Sequence, residues 1–302
     1  MPFKKIRKAV IPAAGFGTRM LPATKSIPKE LLTIVDRPVL DYIVAEAFDS
    51  GIEHVVIVTG RNKAAIEDHY DHAFELDVSL RRNGKQHIAD QLSRHTPGVG
   101  AVSFVRQQEA RGLGHAIWTA RHVIGDEPFA VMLPDMLMVD AEPCLGSLVG
   151  VYDRFGGNVI AVQKCHPNEA HKFGIVSLKP TADGPLVNGL VEKPAPGTAP
   201  TNFYISGRYV LQPEIFGILE NQTPGAGGEI QVTDALIELM KTQEIRPYEF
   251  AGRTFDCGAP AGFVGANLHL ALAREDIGAA IADEIDGLVA LRANVGARGQ
   301  AA

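Results

Sequence analysis

Gly15 and Gly17 stand in the run Ala13-Ala14-Gly15-Phe16-Gly17-Thr18-Arg19, directly after the short apolar stretch Ala9-Val10-Ile11. Glycines let backbone N–H groups come close to an anion, and a turn beyond the carboxyl end of a strand is where open α/β sheets bind ligands. Arg19 follows at once, and then a second cationic stretch, Lys25-Ser26-Ile27-Pro28-Lys29-Glu30. Arginine presents a planar fork and lysine a point charge, so Arg19 and Lys29 can converge on a triphosphate. Two common phosphate loops do not fit. A dinucleotide fingerprint wants glycine or alanine three residues after Gly17, where Met20 stands, and a Walker loop wants Gly-Lys-Ser/Thr at its end. The competing reading is a tight structural turn with solvated cations. The continuation through Pro28-Lys29-Glu30 favours phosphate chemistry.

Such residues need a scaffold, and the chain is long enough to supply one. It has 302 residues, of which 46% are hydrophobic and 21% charged, enough to bury a core in one large α/β domain or two small ones. The net charge is −6, and no long basic stripe exists beyond the first residues, which disfavours duplex nucleic acid as a partner. Three widely spaced cysteines, Cys144, Cys165 and Cys257, make neither a disulfide framework nor a zinc site and point to the cytoplasm. Lys4, Lys5, Arg7 and Lys8 precede an apolar run that stops at Pro12, which reads as a strand entering a loop and not as a signal peptide. No segment is long and apolar enough to span a membrane.

Short apolar runs alternate with segments of helical period. Strands are expected at 9–11, 55–58, 102–105, 129–133 and 158–162. Helices are expected at 39–48, 63–74, 113–124 and 143–155, and this order argues for a largely parallel, doubly wound sheet. Residues 76–100 read as a polar, irregular surface excursion. From about residue 163 strands at 174–178, 186–192 and 203–211 are separated by turns, as in an antiparallel or mixed lobe. Helices return at 213–219, 233–240 and 260–274, and the Ala/Gly-rich end at 293–302 reads as frayed.

The run from Ala13 through Leu21-Pro22-Ala23-Thr24 to Glu30 resembles the signature of the sugar-1-phosphate nucleotidylyltransferases, and most closely their bacterial UTP–glucose-1-phosphate uridylyltransferase branch. Further matches follow in family order. They are Arg106-Gln107, Gly112-Leu113-Gly114-His115-Ala116, Leu133-Pro134-Asp135, Phe173-Gly174-Ile175-Val176, Val191-Glu192-Lys193-Pro194, Gly227-Gly228-Glu229-Ile230-Gln231-Val232-Thr233-Asp234 and Phe255-Asp256-Cys257-Gly258. The resemblance implies a single α/β nucleotidyltransferase domain, Rossmann-like, with one mixed central sheet flanked by helices and an insertion for the sugar. That domain would span 1–275, with the nucleotide part at about 1–160 and the sugar part at about 161–275. Residues 276–302 would form a helical extension and tail. A homo-oligomer, dimer or tetramer, is also implied.

The implied reaction joins UTP and glucose 1-phosphate. A sugar-phosphate oxygen, already ionised at neutral pH, attacks the α-phosphorus, so no general base is needed and catalysis is alignment plus charge stabilisation. Arg19, Lys29 and Lys193 are the cations expected to carry it. Gly15, Gly17 and Thr18 would line the triphosphate, and Ala13, Ala14, Gln107 and Gly112 resemble the positions that read uracil. Asp135 and Asp256, each at the end of an apolar stretch, suit Mg²⁺, which keeps several waters and bridges substrate phosphates. Each aspartate alone is more often a turn former or cap.

On the sugar side the resemblance places Lys193 on the phosphate and Glu192 on hydroxyls. Without it, an exposed Glu-Lys pair at a strand edge is the plainer reading. Gly174 is either a close approach to the sugar or a turn glycine, and Glu229 either orients the sugar side or precedes a helix cap. His115 reads as a hydrogen-bonded residue, because the reaction needs no acid or base. Trp118 and Ile117 read as core, and Cys257 as a small packing residue. Three rivals remain: a non-catalytic sugar-nucleotide-binding subunit, a nicotinamide-dependent oxidoreductase, and a nucleotidylyltransferase for dTTP or another hexose phosphate.

Overall fold

Ala9, Val10 and Ile11 are completely buried, so β1 (Lys8–Pro12) must run through a sheet covered on both faces. The computed structural model describes residues 3–299 and shows how. After the loop that follows β1, a small hairpin, β2 (Thr33–Ile34) and β3 (Arg37–Pro38), leads into α1 (Val39–Asp49), which buries Leu40, Ile43, Val44 and Ala47. Then come β4 (His54–Thr59), α2 (Ala64–Tyr70), α3 (Phe74–Arg82), α4 (Gln86–His95) and β5 (Val102–Arg106). The chain continues through α5 (Leu113–Thr119), α6 (Arg121–Ile124), β6 (Phe129–Met132), β7 (Met136–Val139), α7 (Cys144–Phe155) and β8 (Asn158–Lys164). β9 (Gly174–Lys179), β10 (Leu186–Glu192) and β11 (Phe203–Leu211) follow, then α8 (Ile215–Asn221) and α9 (Val232–Leu239). The last elements are β12 (Ile245–Glu249), β13 (Arg253–Asp256), α10 (Pro260–Leu272) and α11 (Gly278–Gly299).

Nine strands form one mixed sheet in the order β10-β9-β11-β6-β1-β4-β5, with β8 alongside β11 and β12 alongside β8. β6, β1, β4 and β5 are parallel, as their order in the chain predicts. β8 does not extend that parallel set. It runs antiparallel to β11, which has inserted itself beside β6, and its parallel neighbour is β12. The reason lies in β11, whose last six residues are all buried and therefore need partners on both edges. One edge takes β8, and the other is shared by β9 near its start (Tyr204 opposite Ile175) and β6 near its end (Arg208 opposite Met132). The chain leaving β6 at Leu133–Asp135 thus faces the beginning of β9 across a gap.

Alternate residues of the central strands feed two cores. Val10, Val56, Val58 and Val131 pack under α5, α8 and α9, while Ala9, Ile11, Ile57 and Met132 pack under α1 and α7. A third, smaller cluster of Ile34, Val39, Leu137, Phe255, Cys257 and Ala266 ties the β2–β3 hairpin to α10 and to the β7–β13 ribbon.

Two expectations need correction. Residues 76–100 are not irregular, since α3 and α4 occupy most of them. Between them the two helices bury only Ala89 and are polar on average, so their composition reads as surface loop. Of the frayed end expected at 293–302, residues 293–299 continue α11 and 300–302 lie outside the described residues. Among the described residues no helix is long and apolar enough to cross a membrane.

Candidate active site

The loop after β1 is built to bring cations inward. Ala13 N–H donates to the Val58 carbonyl at 2.8 Å, continuing the sheet pairing for one residue. Gly17 then adopts φ 67°, the left-handed conformation that glycine tolerates best. Its carbonyl accepts from Thr24 Oγ1 at 2.8 Å and from Met20 N–H at 2.9 Å. A Cβ at Gly17 would stand 3.1 Å from Lys29 Cβ, so the glycine lets the Lys29 segment close on the loop. Gly15 lies over the Lys29 side chain, 4.0 Å from its Cε by the same construction. Thr18 opens the short helical turn Thr18–Met20, which presents Arg19.

Asp135 sits in the turn between β6 and β7. β13 pairs antiparallel to β7 with Asp256 opposite Met136, so sheet register alone puts Asp256 beside Asp135. The Cys257 N–H donates to the Asp135 carbonyl at 2.7 Å and fixes the junction. Lys29 Nζ donates to Asp135 Oδ2 at 2.6 Å, and Arg19 Nη1 to Asp256 Oδ2 at 2.6 Å. Arg19 Nη2 is also 3.7 Å from Asp135 Oδ2. Burial alone would raise the Asp135 carboxyl, but the Lys29 ammonium, its hydrogen bond and the Arg19 guanidinium outweigh it and hold the group below its usual range. Burial pulls Lys29 down, and Asp135 and Glu30 together pull it above its usual value. Lys29 and Asp135 are thereby kept charged, beside the Arg19–Asp256 pair.

Can the cluster hold a divalent cation? Among the described residues no group of three or more His, Cys, Asp or Glu is arranged for a metal. A hard cation that keeps its waters and is completed by phosphate oxygens needs fewer protein ligands than that. Gly258 supplies the fitting observation. A Cβ there would clash with Asp135 Oδ2 and fall 3.1 Å from Asp256 Oδ1, so the backbone leaves open the space against which both carboxylates converge. Asp135 and Asp256 are the residues able to hold such an ion.

Next to this cluster a cleft of about 850 Å³ runs to the start of β9, lined by Arg19, Asp135, Gly174, Glu192, Lys193 and Thr233 among others. Glu192 lies opposite Gly174 in the β10–β9 register. Its Oε2 accepts from Thr233 Oγ1 at 2.7 Å, and a Cβ on Gly174 would come within 3.1 Å of that same oxygen. Gly174 is therefore no plain turn glycine, because it makes room for the Glu192–Thr233 pair. Lys193 carries φ 44°, unusual for a residue with a Cβ, and its N–H donates to the Phe173 carbonyl at 3.0 Å. Its Nζ lies 3.6 Å from Glu192 Oε1.

The expected base-reading residues gather at the ends of β1 and β5. Gln107 is buried and bonds through its N–H to the Thr59 carbonyl at 2.8 Å. Its Nε2 donates to the Gly112 carbonyl at 3.1 Å and to His115 Nδ1 at 2.9 Å. Burial, followed by the Arg111 charge, lowers the His115 pKa, so the ring stays neutral and serves as a hydrogen-bond partner. Ala14 is buried against Gly60, where a Cβ would lie 3.2 Å from its carbonyl. Trp118 packs half-buried against the core with the Arg121 guanidinium 3.5 Å over its ring, and Ile117 is fully buried. Cys257 is buried, and burial with the two aspartates pushes its thiol up to about 12.

Glu229 lies beside the cleft wall, its Oε2 accepting from Nε2 of the cleft-lining Gln231 at 3.3 Å. Ile230 N–H bonds to the Arg111 carbonyl at 2.7 Å and Gly114 N–H to the Ile230 carbonyl at 2.8 Å, which docks this segment on the Gly112 turn. A Cβ at Gly112, where φ is 102°, would lie 2.8 Å from Glu229 Cβ.

Sequence reading gave no role to Thr233, Gly258 or Glu30, although all three stand in the matched motifs. Glu30 is completely buried and accepts from Lys63 Nζ at 2.7 Å. Burial raises the Glu30 pKa, and Lys63 and Lys29 pull it back. Nothing in the local sequence signals this pair, since its members are 33 positions apart. Removing one member strands the other charge, so Glu30→Ala should destabilise the fold by about 3–5 kcal/mol in urea unfolding. A loss below about 1 kcal/mol would show that the pair carries no such role.

The family model described as Nucleotidyl transferase matches residues 8–272. The UTP–glucose-1-phosphate uridylyltransferase of Bacillus subtilis (strain 168) is 44% identical over 288 residues, covering 95% of this chain and 98% of that one. A UTP-bound UGPase from Acinetobacter baumannii superposes with a TM-score of 0.85 at 39% identity, covering 93% of this chain and 98% of that chain. A UDP-glucose pyrophosphorylase complexed with UDP-glucose superposes with a TM-score of 0.81 at 38% identity, covering 89% and 100%. The chain belongs to the nucleotidyl transferase family and, within it, to the UTP–glucose-1-phosphate uridylyltransferases.

Proposed function

We propose that this protein transfers the uridylyl group of UTP to glucose 1-phosphate, releasing pyrophosphate and forming UDP-glucose. The observation that carries the reading is the meeting of Arg19 with Asp256, 237 positions apart, and of Lys29 with Asp135, 106 apart, at one end of a cleft. The relatives named above bind or act on the same nucleotide and sugar nucleotide, which supports UTP over dTTP.

A sugar-phosphate oxygen forms the new bond to the α-phosphorus, and the bond to the bridging oxygen of pyrophosphate breaks. Arg19 and Lys29 neutralise the charge that grows on the departing oxygens. Asp135 and Asp256 would hold Mg²⁺, which would offset the repulsion between the two anionic reactants. Gly15, Gly17 and Thr18 offer backbone N–H groups to the triphosphate, and Ala13, Ala14, Gln107 and Gly112 read the uracil. Glu192, positioned by Thr233, accepts from sugar hydroxyls, and Lys193 takes the sugar phosphate. The Lys193 backbone, held at positive φ by the Phe173 carbonyl, supports that last assignment.

Residues 1–275 act as one catalytic domain, with 276–302 as an extension. The three thiols form no disulfide, which fits the cytoplasm. Val264, Leu268 and Leu272, exposed at successive fourth positions of α10, fit a surface for self-association as a homo-oligomer.

Pyrophosphate release from UTP and glucose 1-phosphate with Mg²⁺, run beside a panel of other nucleotides and hexose phosphates, tests the reading. Binding without turnover across the whole panel would overturn it. Within the same assay Lys193→Ala should raise KM for glucose 1-phosphate about tenfold or more and leave KM for UTP alone, as loss of a charged hydrogen bond requires. An unchanged sugar-phosphate KM would remove Lys193 from that role.

A further inference from the structure

Arg208 is the largest fully buried side chain described, and no step above uses it. Every nitrogen of its guanidinium is nevertheless bonded. Nε donates to both Glu46 oxygens, at 3.1 and 3.2 Å, and Nη2 to Glu46 Oε2 at 2.7 Å. The remaining donors go to backbone carbonyls: Nη2 to Met136 at 2.9 Å, and Nη1 to Leu133 at 3.3 Å and Gly207 at 3.4 Å. Leu133 and Met136 bracket Pro134-Asp135, so the guanidinium grips both ends of the turn that displays Asp135.

That turn has little else to hold it from within. The bond closing it, Met136 N–H to the Leu133 carbonyl, is long at 3.4 Å. Support comes from β11 behind it. The Leu133 N–H donates to the Gly207 carbonyl at 2.9 Å, and Gly207, at φ 94°, would with a Cβ stand 3.0 Å from Met136 Cγ. Glu46 in turn is fixed on α1, and its Oε1 also accepts from the Leu145 N–H at the start of α7, at 3.1 Å. A chain of contacts thus runs from two helices through Glu46 and Arg208 to the backbone on either side of Asp135.

A buried ion pair is weak evidence for a stability role, because apolar side chains of similar volume often serve the fold as well or better. Apolar side chains cannot bind two carbonyls at a set distance. We propose that Arg208, held by Glu46, is a positioning residue that sets the Leu133–Met136 turn and thereby aims the Asp135 carboxylate. The inference rests on the reading of Asp135 as a ligand of the divalent ion. Outer partners of metal ligands characteristically matter by 10–100-fold in metal affinity or activity, and that is the size expected here, roughly.

The test uses the full chain and Mn²⁺ as the probe, counting free ion by electron paramagnetic resonance, with thermal unfolding followed in parallel. The double variant Glu46→Leu/Arg208→Met removes both charges together and strands neither. It should unfold at a temperature near that of the parent, bind Mn²⁺ about tenfold or more weaker, and lose kcat with KM for glucose 1-phosphate unchanged. Arg208→Lys, which keeps a charge opposite Glu46 but lacks the fork, should show the same weakening and decides the matter if the double variant does not fold. Asp135→Asn separates the two layers. Wild-type Mn²⁺ binding by Asp135→Asn would overturn the metal assignment and this inference with it. Weakened binding by Asp135→Asn beside undiminished binding by folded Arg208→Lys would overturn the positioning role alone.

Discussion

Replacing Asp135 with alanine should lower kcat for pyrophosphate release by on the order of 10²–10³-fold, with Asp256→Ala close behind. The two carboxylates stand at the point where Arg19 and Lys29 converge, and each accepts a 2.6 Å bond from one of them. Losing either leaves the reactants' mutual repulsion less offset and releases a cation to find another partner. Asp135 should be the costlier loss. Its side chain is 14% exposed against 31% for Asp256, and Lys29, itself 16% exposed, would lose its acceptor inside the protein. Asp135→Asn keeps an acceptor for Lys29 and removes only the charge, so it should retain the fold while losing most of the turnover. Initial rates at saturating UTP and glucose 1-phosphate, beside circular dichroism, make the measurement. Rates near the parent's for both alanine variants would sink the carboxylate pair as the centre of the chemistry.

How far the sequence leads to this site depends on how local each cause is. The Gly15–Gly17 loop, Arg19 and Lys29 are legible because a glycine turn after an apolar run and two cations within a dozen residues are all near-neighbour facts. The parallel order of β6, β1, β4 and β5 follows from alternation along the chain. The position of β11 does not. Its burial on both edges is a property of the assembled sheet, and only pairing reveals that β9 and β6 share one edge and leave the cleft between them. Arg208 and Glu46, 162 positions apart, are invisible for the same reason, as is the Glu30–Lys63 pair. Helices α3 and α4 escaped notice for a different one: both are polar on average and bury almost nothing, so their composition reads as loop although α4 gathers its few apolar residues on one face. The docking of Glu229 is non-local too: backbone bonds at Ile230 seat its segment on the Gly112 turn, and its Oε2 accepts from Gln231 of the cleft wall.

Gly258 offers the sharper test of the geometry, because it has no chemistry of its own to lose. Its N–H donates to Asp256 Oδ1 at 3.0 Å, and the space where a side chain would begin is bounded most tightly by Asp135 Oδ2, then by Arg19 Nη2 at 2.7 Å and Asp256 Oδ1 at 3.1 Å. Contacts under 3 Å oblige something to move, and every bounding atom is the end of a side chain in the proposed site. Gly258→Ala should therefore displace Asp135 and Arg19 while leaving the buried strands β1, β4 and β6 untouched. A displacement near 1 Å at the reacting centre costs about 10²-fold in rate, and kcat should fall by that order. The melting temperature should stay close to the parent's, since the methyl meets movable polar termini at a partly open cleft and no packed core. Gly265→Ala, on the next turns of α10 with Phe255 Cδ1 3.5 Å from the new Cβ, is the matched control and should keep full activity. If Gly258→Ala turned over as fast as Gly265→Ala, the convergence of Asp135 and Asp256 on that point would have no part in the reaction, and the cleft's charges would need another explanation.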